Sequence, residues 1–384
     1  MRVNRLAPAL LLGLLALLAT LAAAPAPVAA YPQFRYSTGA DRCVACHYSP
    51  DGSGLLNDFG RSELGDTVSG RGDGSLLHGA WTPPAWLALG GDLRGAGLGK
   101  HVEGEPALWT GFPMQADLYA RVARGPVSLQ LTAGLNGAAR RQPDGRTVSG
   151  LLVSREHSLM IENGDQTRYA RVGRFFPVLG LRLADHTAYP RRYLDQYTLE
   201  EPYGLGVGGV RGRWEGHLSL FVANPLPRTG TANSTGGALY LERSLASGNG
   251  SVAGQARVAV GDDDRRVLAG AVASWWLPGP GLLVHGELDL QRQSFTGVGT
   301  PRWQVLTYVG VSRPFLPGYM IGAAVQRWAP DLTLRASTRN ALELNLQAFP
   351  YAHVEVHLLT RVEATGGDTT TPGALGLLQL HYTL

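Results

Sequence analysis

Only two cysteines and a single lysine, Lys100, occur in 384 residues, and methionine appears 4 times. A zinc site at Cys-x-x-Cys spacing would want a second ligand pair, and no further cysteine exists to supply it. Charge of one sign is also missing. Setting aside Arg2 and Arg5, the 34 basic residues fall to 32 against 30 acidic ones, a net charge of about +2. Such a balance gives nucleic-acid binding no electrostatic support. Beyond residue 30 no run reaches the roughly eighteen unbroken apolar residues of a transmembrane helix. The chain is therefore a soluble protein or enters a membrane by some means other than helices.

What is present begins with an export leader. Arg2 and Arg5 precede the apolar run "LLLGLLALLATLAAA", and "PAPVAA" places small side chains at Val28 and Ala30. Residues 1–30 read as a signal peptide cleaved after Ala30, with Pro25 and Pro27 closing the apolar run against service as a membrane anchor. Export delivers both cysteines to an oxidising compartment, where a disulfide is the plain expectation. A disulfide leaves His47 unexplained. "CVACH" is the attachment pattern of c-type haem: Cys43 and Cys46 form thioethers to the two vinyl groups, and His47 reaches the iron from one side. The expected cofactor is one covalent haem c. The segment carrying it, residues 31–80, is rich in Gly, Ser and Asp and holds no methionine. So small a unit buries little apolar surface alone and needs another body to lean on.

From about residue 85 the sequence alternates. Met114, Ala116, Leu118, Ala120 and Val122 fall on one face of a strand against Gln115, Asp117, Tyr119 and Arg121. The pattern returns after "RGP", again in "LLVHGELDLQ", where Leu288 and Leu290 oppose Glu287 and Asp289, and again in "ALELNLQAFPYAHVEVHLLTR". About sixteen such segments can be marked, joined by irregular polar connections. Strands near ten residues suit a membrane, since soluble strands average about five or six. The predicted fold is mostly β: an antiparallel transmembrane β-barrel of about sixteen strands over 85–384, apolar side outward, in the outer membrane of a Gram-negative cell. Leu288 and Leu344 then face lipid, and Glu287 and Glu343 face the lumen, where substitution is expected to be mild. The closing "ALGLLQLHYTL" reads as a final barrel strand, although it ends on Leu384 where an aromatic residue is usual. Glycine runs such as "GLGVGG" read as turns.

The stretch "CVACHYSPDGSGLLNDFGRSELG" resembles the single-haem segment that some Gram-negative bacteria fuse in front of a porin-like barrel, with an Asn/Pro-x-Phe-Gly-Arg type turn, here Asn57 to Arg61. "RVGRFFPVLGLRLADHTAYPRR" is similar to the strand and loop of phosphate-selective-type porins and of these fusions. Together the two stretches cover about 45 residues. The resemblance implies electron movement at the outer membrane.

Iron bound by His47 takes a second protein ligand or keeps an open site. His186, among Asp185, Arg191 and Arg192, and His78 in "GSLLHGAW" are the candidates; Met114, on an outward register, and Met160 are weaker. His353, Glu355 and His357 at spacings of two could form a metal ladder, or simply be polar lumen residues. Arg171, Arg174, Arg182, Arg191 and Arg192 could draw anions into a pore, or be lumen and loop charges without selectivity.

The expected function is electron transfer between periplasmic carriers and the outer membrane or exterior, with a periplasmic redox protein or extracellular acceptor as partner and membrane lipid around the wall. An anion or small-solute porin with the haem segment as plug or sensor is the alternative. A five-coordinate haem enzyme is a third reading. The sequence leaves the oligomeric state open.

Overall fold

The computed structural model describes residues 40, 42–102, 104–135, 140–141, 147–148, 152–225, 232–297, 299–366 and 373–384. The expected leader lies outside them. The barrel opens with β1 (Leu87–Val102), β2 (Leu108–Arg124) and β3 (Val127–Leu135). A ribbon of β4 (Arg140–Arg141) and β5 (Thr147–Val148) forms its own two-stranded sheet. The wall continues through β6 (Leu152–Glu162), β7 (Arg168–Arg174), β8 (Tyr203–Arg211) and β9 (Trp214–Val222). Next come β10 (Ser234–Ser244), β11 (Gly250–Gly261), β12 (Asp264–Leu277), β13 (Leu282–Phe295) and β14 (Arg302–Leu316). It ends with β15 (Tyr319–Ala329), β16 (Arg339–Tyr351), β17 (Val354–Thr365) and β18 (Gly373–Thr383). β18 pairs antiparallel with β1, so 16 strands close into one barrel without a free edge.

Alternation sets the two surfaces. Along β13, Leu288 and Leu290 are 53% and 43% exposed while Glu287, Asp289 and Gln291 are buried. With the apolar side outward, this is the pattern of a membrane-spanning wall. Exposed tryptophans sit near both rims: Trp86, Trp214 and Trp275 at one, Trp109 and Trp303 at the other. Tight turns at 125–126, 212–213 and 317–318 mark the first rim, and a longer connection at 330–338 lies at the second. In barrels of this kind the short-turn rim is periplasmic.

Two expectations about the wall are corrected. Met114 does not continue the outward register. A bulge between Arg94 and Gly95 against β2 breaks the alternation there, and Met114 packs on Ala96, Leu359 and Leu377. The glycines of "GLGVGG" belong to β8 and are not a turn. They leave room for neighbouring side chains: a Cβ on Gly208 would collide with Nδ1 of His217 and lie 2.6 Å from the Tyr169 ring.

Candidate functional site

The N-terminal segment occupies the periplasmic mouth. Cys43–Ala45 form a single 3-10 turn, with the His47 amide donating to the Cys43 carbonyl at 2.9 Å, so both thiols and the imidazole project from one coil of chain. Asn57 ties that coil to helix α1 (Asp58–Glu63). Its side chain donates to the Ala45 and Val44 carbonyls at 2.9 and 3.2 Å and accepts from the Gly60 amide at 2.9 Å, capping the helix. The Asn57–Arg61 stretch expected as a turn is thus a capped helix start. Gly60 is required by proximity, since a Cβ there would collide with the Cys46 carbonyl oxygen. Arg61 reaches the barrel seam, donating to the carbonyls of Leu89 and Leu384.

Beyond the motif the chain rises into the lumen. Arg171 on β7 donates to Ser49 Oγ and pairs with Asp51, both at 3.1 Å, and Ser53 donates to Glu156 on β6 at 2.9 Å. The guanidinium of Arg121 lies 4.5 Å from the centre of the Tyr48 ring. Burial raises the Asp51 carboxyl, but Arg171 and the Ser53 and Ser49 donors outweigh it and hold the pKa below the ordinary range.

A second insert closes over the first. After β7 the chain turns into the barrel over 175–202, carrying one short helix, α2 (Tyr189–Tyr193), and its own apolar contacts: Val178, Leu179, Leu181 and Leu183 pack on wall residues that include Phe221, Tyr240 and Tyr308. Its backbone donors are met by the far wall. Gly180 donates to Gln255, Leu181 to Glu287 and Tyr189 to Gln326, at 2.6, 2.9 and 2.7 Å. Arg174 pairs with Glu201 at 3.1 Å across the loop's two ends, and Asp195 pairs with Arg257 and Arg266. Arg361 on β17 donates to Asp185 and Thr187 while Glu343 braces it. The expectation that Glu287 and Glu343 tolerate substitution is therefore corrected, because they hold the loop.

The same contacts change the reading of the arginines. Arg171, Arg174 and Arg182 make internal ion pairs, and Arg191 donates to the Leu183 and Gln196 carbonyls. The first three are paired within the fold, Arg191 is held by backbone carbonyls, and Arg192, stacked near Tyr193, is the exposed member of the five.

Between the two inserts lies a cavity of about 360 Å³ onto which Cys43, Cys46 and His47 open from below and Phe176, Arg182 and His186 from above. That size falls in the roughly 300–1,000 Å³ range of cofactor pockets. Cys43 and Cys46 form no disulfide. Burial, then the neighbouring Cys43 and Glu63, push the Cys46 thiol up to about 11. Burial also lowers the His47 pKa against Asp51 and the Gly54 backbone, favouring the neutral imidazole that a metal binds. Gly52, at a positive φ of 79°, passes so close that a Cβ would lie 3.1 Å from the Cys43 sulfur. The residues present fit a covalent haem.

The other sequence candidates separate. His78 lies at the rim, its Nε2 2.8 Å from the Tyr382 hydroxyl and its ring 4.3 Å from that of His353, and it does not line the cavity. Met160 is buried on β6 and does not line it either. The ladder of His353, Glu355 and His357 is not assembled: His353 sits in the turn before β17, bonded to the Thr383 carbonyl, and Glu355 bonds His381. Among the described residues no group of three or more His, Cys, Asp or Glu side chains is arranged to hold a metal ion. His381 lines the cavity and was missed; it sits between Asp92 and Glu355, at 2.7 and 2.8 Å, a pairing that no local pattern announces.

No protein-family model and no characterised protein sequence matches this chain. Solved structures do. OprB of Pseudomonas putida superposes with a TM-score of 0.59 at 12% identity, covering 78% of this chain and 94% of that one. OmpT of Vibrio cholerae gives 0.58 at 10%, covering 79% and 99%. The outer membrane channel DcaP of Acinetobacter baumannii gives 0.54 at 11%, covering 78% and 97%. At these identities the likeness is one of fold, and the fold is the porin-like barrel of the outer membrane.

Proposed function

We propose that this chain carries one haem c in the lumen of an outer-membrane barrel and passes single electrons between a periplasmic redox protein and an acceptor at or beyond the membrane. One observation carries the reading: Cys43, Cys46 and His47 open together onto a lumenal cavity roofed by a loop bonded to the far wall. Bound haem would supply reversible one-electron chemistry at its iron. Cys43 and Cys46 would each add S–H across one vinyl double bond, losing no atom, and His47 would offer its neutral imidazole. The inward loop spans the lumen above the cavity, and a lumen filled in this way favours electrons over solutes.

The experiment is mass spectrometry of the protein purified from outer membranes of cells equipped for haem attachment. The expected mass is the mature polypeptide plus one haem, lost in the Cys43→Ala/Cys46→Ala double variant. An unmodified wild-type mass sinks the proposal.

A second reading, a small-solute porin with the N-terminal segment as plug or sensor, draws its support from the fold shared with an outer membrane channel. Planar-bilayer conductance separates the two. The electron-transfer reading expects no steady conductance in the intact chain, and sustained open steps would favour the porin.

A further inference from the structure

We propose that His186 is the second axial ligand of the iron bound by His47, an inference that rests on the haem reading above. His186 lines the cavity that Cys43, Cys46 and His47 line, but from the inward loop. Its neighbours on both sides are fixed to the wall. The Asp185 carboxylate accepts from the Thr187 amide at 2.7 Å and from Arg361 at 2.9 Å, and Arg361 also donates to the Thr187 carbonyl at 3.1 Å. Glu343 in turn accepts from Nε of Arg361 at 3.0 Å. With residues 185 and 187 held by β17, the backbone of residue 186 has little freedom, and the ring rests edge-on against Tyr197 with centroids 5.3 Å apart. A ligand held by such supports meets a metal without further ordering.

The competing side chains are committed elsewhere. His381 has both ring nitrogens against carboxylates, those of Asp92 and Glu355. His78 is bonded to Tyr382 at the rim. Met114 lies in its apolar cluster and borders a smaller second cavity of about 70 Å³, which His186 also borders, but not the cavity of Cys43, Cys46 and His47. Arg361 is a positioning residue for His186. Ligation from both inserts would make the cofactor a cross-link between the N-terminal segment and the inward loop, a two-histidine site suited to electron transfer more than to ligand binding.

The test uses the full chain, haem attached, in detergent, read by absorption and electron paramagnetic resonance. Wild type should be low-spin when ferric and should not bind carbon monoxide when ferrous. His186→Ala should become high-spin and bind carbon monoxide, added imidazole should restore the low-spin form, and His78→Ala should match wild type. Arg361→Gln should give a mixture of spin states at unchanged haem content. If His186→Ala does not assemble, His186→Met should shift the spectrum toward that of sulfur-ligated ferric iron. A haem-loaded wild type that is high-spin, or a His186 variant indistinguishable from wild type, overturns this inference alone. A chain without covalent haem overturns it together with the reading it rests on.

Discussion

Along β13 the wall alternates Leu288 and Leu290 outside with Glu287 and Asp289 inside, whereas the loop over 175–202 carries no regular element longer than Tyr189–Tyr193. The wall meets its backbone bonds strand to strand, so its side chains need only choose lipid or lumen. The loop has no such ladder, and its amides at Gly180, Leu181 and Tyr189 are met by Gln255, Glu287 and Gln326 from strands far away in sequence. In the wall, then, polarity sets which way a residue faces, and in the filling, individual partners decide where the chain lies. Lumen-facing carboxylates belong to both systems, which makes them less tolerant of change than their position on a strand suggests.

The largest effect should come from breaking a buried pair of the filling. Arg174 and Glu201 are nearly inaccessible, and Arg174→Ala strands a buried carboxylate, which should cost about 3–5 kcal/mol. Denaturant unfolding of the detergent-solubilised protein, with hydrogen exchange over 175–202, would read the loss; an unchanged midpoint would mean that the loop's ends are held by other contacts.

A charge on the wall comes next. Leu288→Arg, on the lipid face at mid-strand, should cost roughly 2–4 kcal/mol, while Leu288→Ile should be nearly neutral. Equal tolerance of both, by heat-modified gel migration, would place that face away from lipid. Gly208→Ala tests the packing inside the wall. The added methyl group meets His217 and Tyr169, so overpacking of about 1–3 kcal/mol is expected, visible as a lowered unfolding midpoint.

The smallest effect concerns pH. Burial raises the Asp195 carboxyl, but Arg257 and Arg266 outweigh it and hold the folded pKa below the ordinary value. A carboxylate with a depressed folded pKa adds stability that is fully present above its unfolded pKa of about 3.9 and is lost as pH falls through the lower folded value. The Asp195 share of loop protection should thus be flat from neutral pH down to about 5 and decline below about 4. Asp195→Asn should lower protection at neutral pH and remove its share of that decline. A variant as well protected as wild type at neutral pH would show that the arginines hold the loop without it.

The stretches around Asn57–Arg61 and Arg171–Arg192 stand out in the sequence, but how they pack does not. Asn57 turned out to cap a helix, and Arg171 turned out to hold Ser49 and Asp51 instead of facing a pore. Met114 escaped its expected face because a bulge consumes one residue of register, which a count by twos cannot foresee.

By itself the sequence determined the barrel, its lipid and lumen faces along most strands, and the clustering of Cys43, Cys46 and His47, because strand period and motif spacing are local properties of the chain. Only the tertiary structure decided what fills the lumen and which side chains share a cavity with that cluster. His186 reaches the same cavity because Arg361 holds its neighbours from 176 residues away along the chain, and bonds of that range leave no trace in local pattern.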